Sequence, residues 1–372
     1  MKYLTYNDYM IMPAVISRVN HRADINPYKD GNFLPIFTAP MSTVVNLENY
    51  TQFEENNIIP IIPRNIPITY RKDICFNENR WVAFSMDEFS SIFHSKIDEN
   101  IKELKVLVDV ANGHMLSLYE SIKKAKEING DRLVIMTGNI ANPETYRIAN
   151  ESGVDYIRLG IGGGMGCITS SNTSIHTPMA TLISETRKIQ QEINGKTKII
   201  ADGGVRGYKD VVKAIALGAD YVMIGGILAS AMESAALIEC ERPIIKLDEK
   251  TKEIKYVNGD SRVIEGKHLE MRDNMFYYKG SLMPLLNPQK IFYGMASAMG
   301  QKDMYGEKIK TSEGCVKKIP LEYTLSQWVE NMKDYLCSAM SYSDSFTLTE
   351  FMEKGKKQLI EVSENAFNAV NK

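Results

Sequence analysis

The chain has 372 residues, of which 44% are hydrophobic and 24% are charged, as in an ordinary globular protein. A formal net charge of −2 provides no basic field for nucleic acid, and no run of about 18 apolar residues predicts a membrane span. The five cysteines form no C-x-x-C pair, the five histidines are dispersed, and the N-terminus lacks a signal-peptide core. We therefore expect a reduced, cytoplasmic protein without a zinc site.

Short, continuous apolar runs recur along the first 234 residues, as expected for strands buried on both faces of a parallel sheet. In chain order they are Leu34–Thr38, Ile58–Ile62, Trp81–Ser85, Val106–Val110, Leu133–Met136, Tyr156–Leu159, Lys198–Ala201 and Tyr221–Ile224. Amphipathic segments of helical length lie between several of them, at Met115–Asn129, Pro143–Ser152, Thr177–Ile193 and Tyr208–Leu217. Glycines and polar residues follow nearly every strand, which favours a TIM (β/α)8 barrel over an open doubly wound sheet.

The regular recurrence of apolar runs ends at Ser234. We predict a barrel core at 1–234, an insertion at 235–290 and a last part at 291–372. The insertion is expected to contain a β-hairpin that turns at Val257-Asn-Gly-Asp260, because Asn-Gly favours tight primed turns. The last part is expected to end in a helix over Thr347–Lys372 and to complete the same catalytic domain.

Three glycine clusters follow the last three barrel strands: Gly160–Gly166, Asp202-Gly-Gly204 and Gly225-Gly226. Glycine allows main-chain N–H groups to approach an anion, and the loops after strands seven and eight commonly hold phosphate in this fold. Each cluster alone is equally consistent with a tight turn. Asp202 would repel a phosphate, so its carboxylate is better suited to accept hydrogen bonds from ribose hydroxyls.

Cys167 lies within the first of these clusters, where main-chain dipoles would favour a thiolate nucleophile. Thr169 is two residues away and is able to donate or accept a proton. Glu313, in the run Ser312-Glu-Gly314, is a candidate general acid or base. From residue type alone, an isolated cysteine such as Cys167 is more often a small buried hydrophobe than a nucleophile, and a glutamate beside glycine, such as Glu313, is usually a solvated carboxylate.

These motifs together resemble the IMP dehydrogenase / GMP reductase superfamily. The family loop G-I-G-x-G-x-x-C-x-T is represented by Gly160-Ile-Gly-Gly-Gly-Met-Gly-Cys-Ile-Thr169, and the D-G-G motif by Asp202-Gly-Gly-Val205. An early strand signature is represented by Thr38-Ala-Pro-Met-Ser-Thr-Val44, and a G-N pair by Gly138-Asn139. The match extends over nearly the whole chain except 235–290.

The resemblance implies a barrel with a C-terminal flap and extension, commonly assembled as a homotetramer, in which a cysteine attacks C2 of a purine nucleotide. Hydride then passes between C2 and a nicotinamide cofactor. The implied roles fall on matching positions. Cys167, Thr169 and Glu313 would be catalytic; Asp202, Gly204, Gly225, Gly226, Met295 and Ser297 would bind the substrate; Asp109, Asn139 and Arg64 would bind the cofactor. The main-chain carbonyls of Gly162, Gly164 and Cys167 would form a monovalent-cation site for K⁺.

Several differences between the two branches of the superfamily favour the reductase, which would use NADPH to convert GMP into IMP and ammonia. Only Pro63–Arg80 separates strands two and three, which leaves no room for the CBS modules that dehydrogenases usually carry. Asp109-Val-Ala-Asn-Gly113 resembles the reductase pattern. The last arginine is Arg272, so 273–372 cannot supply the guanidinium with which a dehydrogenase flap activates water.

Three alternatives remain open at this point: an IMP dehydrogenase that uses NAD⁺, an FMN-dependent barrel oxidoreductase, and a nucleotide-binding protein without catalysis. The last is motivated by departures from the family pattern. Met165 stands where a phosphate-binding serine is usual, Ser170 where arginine is usual, and Ser42 where aspartate is usual. Lys310 and Arg64 also replace the common residues, which places the phosphate contacts in question more than the chemistry at Cys167.

Overall fold

The structure, a computed structural model, describes residues 2–247, 254–308 and 310–370, and the side chains outside 242–261. Eight parallel strands form its central sheet. They are β1 (Ile36–Thr38), β2 (Ile61–Ile62), β3 (Trp81–Phe84), β4 (Leu104–Asp109), β5 (Leu133–Ile140), β6 (Tyr156–Leu159), β7 (Lys198–Asp202) and β8 (Tyr221–Ile224). Each coincides with one of the eight predicted apolar runs, and the order in the sheet is β1-β8-β7-β6-β5-β4-β3-β2.

The two ends of this sheet meet and give it the form of a barrel. Phe37 forms a parallel bridge with Ile59, the N–H of Ile59 donates to Ile36 O at 3.0 Å, and the N–H of Thr38 donates to Ile59 O at 3.0 Å. Hydrogen bonding thus continues from β1 to the residues that lead into β2. The predicted TIM barrel is confirmed.

Thirteen α-helices lie within the described residues. They are α1 (Tyr50–Glu55), α2 (Ile68–Glu78), α3 (Met86–Phe93), α4 (Leu116–Asn129), α5 (Thr145–Glu151), α6 (Thr169–Thr173), α7 (Met179–Glu192), α8 (Tyr208–Leu217), α9 (Gly226–Ala229), α10 (Ala298–Tyr305), α11 (Leu325–Tyr342), α12 (Leu348–Gln358) and α13 (Glu364–Val370). Among them, none has the length and apolar content needed to cross a membrane.

The barrel interior is filled by side chains. Phe37, Trp81, Tyr156 and Tyr221 are in edge or tilted ring contacts with centroids 5.1–6.1 Å apart. Their neighbours along each strand point outwards and pack under the helices, because successive side chains of a strand alternate between faces. A filled interior restricts ligands to the loops at the strand ends.

A second sheet is formed by residues that follow the barrel. Its strands are β9 (Ile238–Leu247), β10 (Ile254–Ile264), β13 (Leu286–Tyr293) and β14 (Val316–Pro320), in the order β10-β9-β13-β14; a separate hairpin pairs β11 (Leu269–Arg272) with β12 (Met275–Tyr278). The turn prediction at Val257–Asp260 is wrong, because Asn258 lies inside β10 and is paired with Pro243. The antiparallel ladder of β9 and β10 overrides the local preference of Asn-Gly, and 248–253 lie outside the described residues. The domain boundaries at 234 and 290 stay predictions.

The predicted single helix over Thr347–Lys372 is also wrong. Helix α12 ends at Gln358, and Leu359–Glu361 form a short strand that pairs antiparallel with Tyr9–Ile11 near the N-terminus. The N–H of Met12 donates to Gln358 O at 2.8 Å, which continues this pairing. Main-chain bonds to the distant N-terminal segment therefore replace helix continuation, and α13 begins after them.

Candidate active site

Cys167, Thr169 and Glu313 lie in contact at the carboxyl end of the barrel. The half-buried thiol of Cys167 donates to Thr169 Oγ1 at 3.3 Å, and Thr169 Oγ1 donates to Glu313 Oε2 at 2.8 Å. The structure thus brings together the three residues predicted to be catalytic, although Glu313 is 144 positions from Thr169 in the chain. The three side chains form a continuous hydrogen-bonded path along which a proton can move between sulfur and carboxylate.

Main-chain pairing fixes this arrangement. Cys167 forms an antiparallel bridge with Gly314; the N–H of Ile168 donates to Glu313 O and the N–H of Cys315 donates to Gly166 O, both at 2.9 Å. A Cβ on Gly314 would lie 3.1 Å from Gly166 O, closer than ordinary contact, so glycine suits this crossing. The loop that carries Cys167 and the segment that carries Glu313 are therefore joined by their backbones.

The segment around Met295 and Ser297 flanks the same crossing. The N–H of Glu313 donates to Ala296 O at 3.1 Å, and Ser297 pairs with Gly314 in a parallel bridge. Ser297 is buried, and its Oγ accepts the N–H of Gly300 at 3.0 Å as the N-cap of α10. Its hydroxyl thus stabilises the helix, whereas the half-buried Met295 lies closer to the solvent-accessible side.

A charged cluster occupies the neighbouring strand ends. Arg158 of β6 donates through Nε to Asp202 Oδ2 and through Nη1 to Asp109 Oδ1, both at 2.9 Å. Asn139 Nδ2 donates to the same Asp202 oxygen at 2.7 Å, and Arg64 Nε donates to Asp109 Oδ2 at 3.0 Å. The structure therefore links the predicted ribose-binding Asp202 to the predicted cofactor residues Asp109, Asn139 and Arg64.

Arg158 is the member of this cluster that the sequence did not reveal. Only 7% of it is exposed. Burial alone would lower the pKa of Arg158, but the Asp202 and Asp109 carboxylates outweigh burial and raise it. The sequence feature that could have identified Arg158 as a site residue is its position as a single arginine inside the otherwise apolar strand Tyr156-Ile-Arg-Leu159. Among the described residues Asp202 Oδ1 accepts no hydrogen bond, so this oxygen remains available to a ligand hydroxyl.

The three glycine loops touch one another beside Cys167. Gly160 adopts a φ of +119°, and a Cβ there would lie 2.4 Å from Asp202 O, so only glycine permits the loops after β6 and β7 to approach this closely. The N–H of Gly204 donates to Gly163 O at 2.9 Å. Gly225 and Gly226, after β8, face the side chains of Met41 and Met165 respectively.

Two of the three carbonyls predicted to bind a monovalent cation, those of Gly162 and Gly164, already accept hydrogen bonds. Gly162 O accepts Ser170 Oγ at 3.1 Å, and Gly164 O accepts the N–H of Cys167 at 3.1 Å. A carbonyl oxygen has two lone pairs, so one accepted hydrogen bond leaves room for a cation. The K⁺ site stays a prediction. In the part of the chain that the structure describes, no group of three or more His, Cys, Asp or Glu side chains is placed to hold a metal.

Comparison with known proteins identifies the family. The family model described as IMP dehydrogenase / GMP reductase domain matches residues 94–247. A GMP reductase of Staphylococcus aureus is 30% identical over 319 residues, which cover 82% of this chain and 94% of that protein. GMP reductases of Helicobacter pylori and Pediococcus pentosaceus are each 28% identical, over 77% and 72% of this chain and 88% and 84% of their own lengths. With its barrel and the position of Cys167, this chain belongs to the IMP dehydrogenase / GMP reductase family.

Proposed function

We propose that the protein is a GMP reductase-like oxidoreductase that uses NADPH to convert GMP into IMP and ammonia. The observation that carries this proposal is the path from the Cys167 thiol through Thr169 to Glu313. Removal of an amino group from a purine carbon requires a nucleophile and a proton donor on the same side of the ring. The path provides both, and the GMP reductases of three bacteria are among the similar proteins.

The first half-reaction replaces nitrogen by sulfur at C2. Glu313 accepts the proton that Cys167 releases, relayed by the hydroxyl of Thr169. The thiolate adds to C2, the bond between C2 and the amino nitrogen breaks, and Glu313 returns the proton to the departing amine, which leaves as ammonia. This step consumes no external proton and produces a thioimidate bond between Cys167 and the purine.

The second half-reaction replaces sulfur by hydrogen. The reduced nicotinamide, when bound, supplies the hydride for C2. The electron pair of the C2–S bond returns to Cys167, whose sulfur then takes a proton from solvent through Thr169 and Glu313. The protein's own contribution is to orient the purine over Sγ and to restore the thiol for the next turnover.

The polar cluster after β2, β4 and β5 fits the nicotinamide end of such a cofactor. Asn65 Oδ1 is buried and has no hydrogen-bond partner among the described residues, so it is suited to accept an N–H of the carboxamide. Arg64 and Asp109 form an ion pair next to it at 3.0 Å. We assign Arg64, Asp109 and Asn139 to this end, with NADPH preferred to NADH.

The substrate's sugar and phosphate are assigned to the loops on the other side of Cys167. Asp202 Oδ1 is available to accept ribose hydroxyls, while Arg158 and Asn139 hold the other carboxylate oxygen. Gly204, Gly225 and Gly226 are assigned to the 5′-phosphate, and Met295 is assigned to the base.

The decisive experiment measures the loss of NADPH absorbance on addition of GMP, with hypoxanthine-nucleotide and ammonia formation assayed separately. We expect turnover in the wild type, none in Cys167→Ala, and retained turnover in Cys315→Ala, because the hydrogen bond from Cys315 to the Cys167 loop is made by its main-chain N–H. Unchanged turnover in Cys167→Ala would refute the covalent mechanism. Formation of NADH from IMP and NAD⁺ would instead identify a dehydrogenase, and flavin absorbance of the purified protein would identify an FMN enzyme.

Thr169→Val tests the proton path directly. We expect kcat to fall by about 10²–10⁴, with a smaller effect on KM, since the relay acts in bond breaking rather than in binding. Thr169→Ser keeps the hydroxyl and should restore most of kcat. Equal kcat for the valine and serine variants would show that the hydroxyl takes no part.

The oligomeric state, the cellular location and the bound cation are also proposed, on the basis of the family resemblance. We propose a homotetramer in the cytoplasm, with K⁺ at the carbonyls of Gly162, Gly164 and Cys167. Light scattering should then give four times the 42.0 kDa of one chain, and replacement of K⁺ by Li⁺ should lower kcat. A monomer in solution, or equal rates in the two salts, would contradict the respective proposal.

A further inference from the structure

The ring of His114 joins the loop after β4 to the loop after β5. Its Nε2 accepts the N–H of Ala141 at 3.0 Å, and its Nδ1 lies 3.0 Å from Thr145 Oγ1. Ala141 is the first residue beyond β5 and is buried. The carbonyl of Ala141 accepts a hydrogen bond from Thr177 Oγ1 at 2.6 Å. Both main-chain polar groups of Ala141 are therefore fixed by side chains from other segments of the chain.

The two loops that His114 joins carry residues assigned to the nicotinamide end of the site. Asp109 ends β4, and Asn139 lies two residues before Ala141. The N–H of Gly113, the residue before His114, donates to Asn139 O at 3.0 Å, and a Cβ on Gly113 would lie 2.6 Å from that oxygen. Gly113 and His114 thus make adjacent contacts with the end of β5. The spacing between Asp109 and Asn139 depends on both contacts.

The contact with Ala141 determines the protonation state of the ring. A main-chain N–H can only donate, so Nε2 of His114 must present its lone pair, and the ring proton lies on Nδ1, which donates to Thr145 Oγ1. A second proton on Nε2 would make two N–H groups face each other, and the N–H of Ala141 would lose its acceptor. The contact therefore exists only while His114 is neutral.

The surroundings of the ring also favour the neutral form. Partial burial lowers the pKa of His114 below its ordinary value of 6.5, and no carboxylate among the described residues opposes this shift. The titratable side chains on the surrounding elements have other partners: Tyr119 donates to Gly113 O, Glu144 pairs with Arg147, Asp109 pairs with Arg64 and Arg158, and His176 contacts Ile161 O. The ring is therefore neutral above about pH 6.5 and gains its second proton as the pH falls below this value. Because His114 is exposed to solvent at its edge, that proton has direct access.

We propose that His114 is a positioning residue for the cofactor: its neutral ring holds the loops of Asp109 and Asn139 at the spacing that NADPH requires, and its protonation releases Ala141 and weakens cofactor binding. This inference rests on the proposed function and adds a control by pH at the same site. The ring acts through the two loops and takes no part in the transfer of hydride.

Binding of NADP⁺ in the presence of IMP, without ammonia, tests this inference under conditions in which the reductase reaction cannot run backwards to completion. Calorimetry gives the dissociation constant at about pH 8 and about pH 5, on either side of the range in which the ring titrates. His114→Gln places an amide oxygen, which does not titrate, near the position of Nε2. We expect the affinity of the wild type to fall on acidification by about threefold or more beyond the fall in His114→Gln. The phosphates of both ligands titrate with either protein, so the difference between the proteins isolates the ring.

His94→Gln is the matched control. Nε2 of His94 lies 3.1 Å from Ser121 O, between α3 and α4, and neither residue is assigned to the site. We therefore expect His94→Gln to keep the pH dependence of the wild type. The same pH dependence in the wild type and in His114→Gln, or its loss in His94→Gln, would overturn the inference.

Hydrogen exchange of the peptide that contains Ala141 reports the contact itself. After correction for the intrinsic effect of pH, we expect the protection of the Ala141 N–H to fall on acidification in the wild type and to persist in His114→Gln. Equal protection of the wild type at both pH values would overturn the inference, whether or not the glutamine variant folds.

Turnover distinguishes failure of this inference from failure of the proposed function. Oxidation of NADPH with GMP, combined with an NADP⁺ affinity that falls equally in the wild type and in His114→Gln, refutes the role of His114 and leaves the reductase activity intact. Absence of NADPH oxidation, combined with the expected loss of NADP⁺ affinity and of Ala141 protection in the wild type alone, supports the role of His114 and refutes the reductase reaction.

Discussion

At the scale of single residues, Arg158 is the cation of the site that pairs with two carboxylates. It lies between the carboxylates of Asp109 and Asp202, which come from strands β4 and β7 on either side of it. Without the guanidinium, Asp202 would have no cationic partner among the described residues, and Asp109 would keep only its ion pair with Arg64. Arg158 therefore stabilises the carboxylates of Asp109 and Asp202 at the ends of β4 and β7, which are separated in the sheet by β5 and β6.

We predict that Arg158→Met lowers the free energy of unfolding by about 3 kcal/mol, because removal of the buried guanidinium leaves the half-buried Asp202 carboxylate without a cation. Urea titration measures this change. Arg147→Met is the control: Arg147 pairs with Glu144 and Glu192 on the surface, so we expect a much smaller loss. Similar losses in the two variants would contradict the role given to Arg158.

The individual site residues differed in how well the sequence revealed them. Cys167, Thr169 and Glu313 were predicted because they occupy motif positions, and the structure places them in contact. Arg158 was missed because strand periodicity marks it as buried but does not identify its partners, which are 44 and 49 positions away. The contact between Met165 and Gly226 was also not predicted. It depends on how closely two loops approach each other, and sequence spacing contains no information about that distance.

At the scale of elements, Lys290 attaches strand β13 to the turn that follows α9. Its side chain is fully buried, and Nζ donates to the carbonyls of Met232, Ser234 and Ala236 at 3.0–3.2 Å. Burial lowers the pKa of Lys290 to about 7, although the Glu233 carboxyl opposes this shift. The junction between the barrel and the second sheet thus contains a titratable group.

This junction should make stability depend on pH. Unfolded lysine titrates near 10.5, so between pH 7 and 10.5 the unfolded chain binds more protons than the folded chain and stability rises with pH. Urea unfolding at successive pH values measures this dependence. We predict that the free energy of unfolding of the wild type rises with pH more steeply than that of Lys290→Met, by up to about 1.4 kcal/mol per pH unit. Parallel pH profiles for the two proteins would refute the shift.

Strands and helices were predicted correctly where the local pattern of apolar residues determines them. All eight barrel strands lie in largely apolar runs, with Lys105 of β4 and Arg158 of β6 as interior charged exceptions, because strands that are covered on both faces require mostly apolar side chains. The errors at Val257–Asp260 and Thr347–Lys372 share one cause. In both segments a local preference, for a turn or for a helix, is overridden by main-chain pairing with a distant strand, and a local pattern contains no information about that partner.

At the scale of the whole molecule, the N-terminal and C-terminal segments are joined to each other. Tyr9–Ile11 pair with Leu359–Glu361, Lys2 Nζ lies 2.9 Å from Glu361 Oε2, and α12 packs on α8, the helix that follows β7. Both chain ends therefore support the barrel helix next to the Asp202 loop. The C-terminal strand belongs to the structural support of the site.

We predict that Ile360→Pro lowers the free energy of unfolding by about 1–3 kcal/mol, because proline removes a ladder N–H opposite Met10. Ile360→Thr keeps the N–H and a β-branched side chain at this 40% exposed position, and should stay close to wild type. Urea unfolding compares the two variants, and an equal loss in both would assign the effect to the side chain instead of the ladder.

The bridge between Cys167 and Gly314 has a consequence for how this enzyme tolerates insertions. Side chains on paired extended segments alternate in direction, so one residue added immediately before Glu313 would turn its carboxylate away from Thr169. Residues added farther back, at the exposed positions 306–308 after α10, would extend the chain at the surface and leave the paired register intact. Chain length in this region can therefore drift during evolution, provided that the alignment of Ser312-Glu-Gly314 with the cysteine loop is preserved.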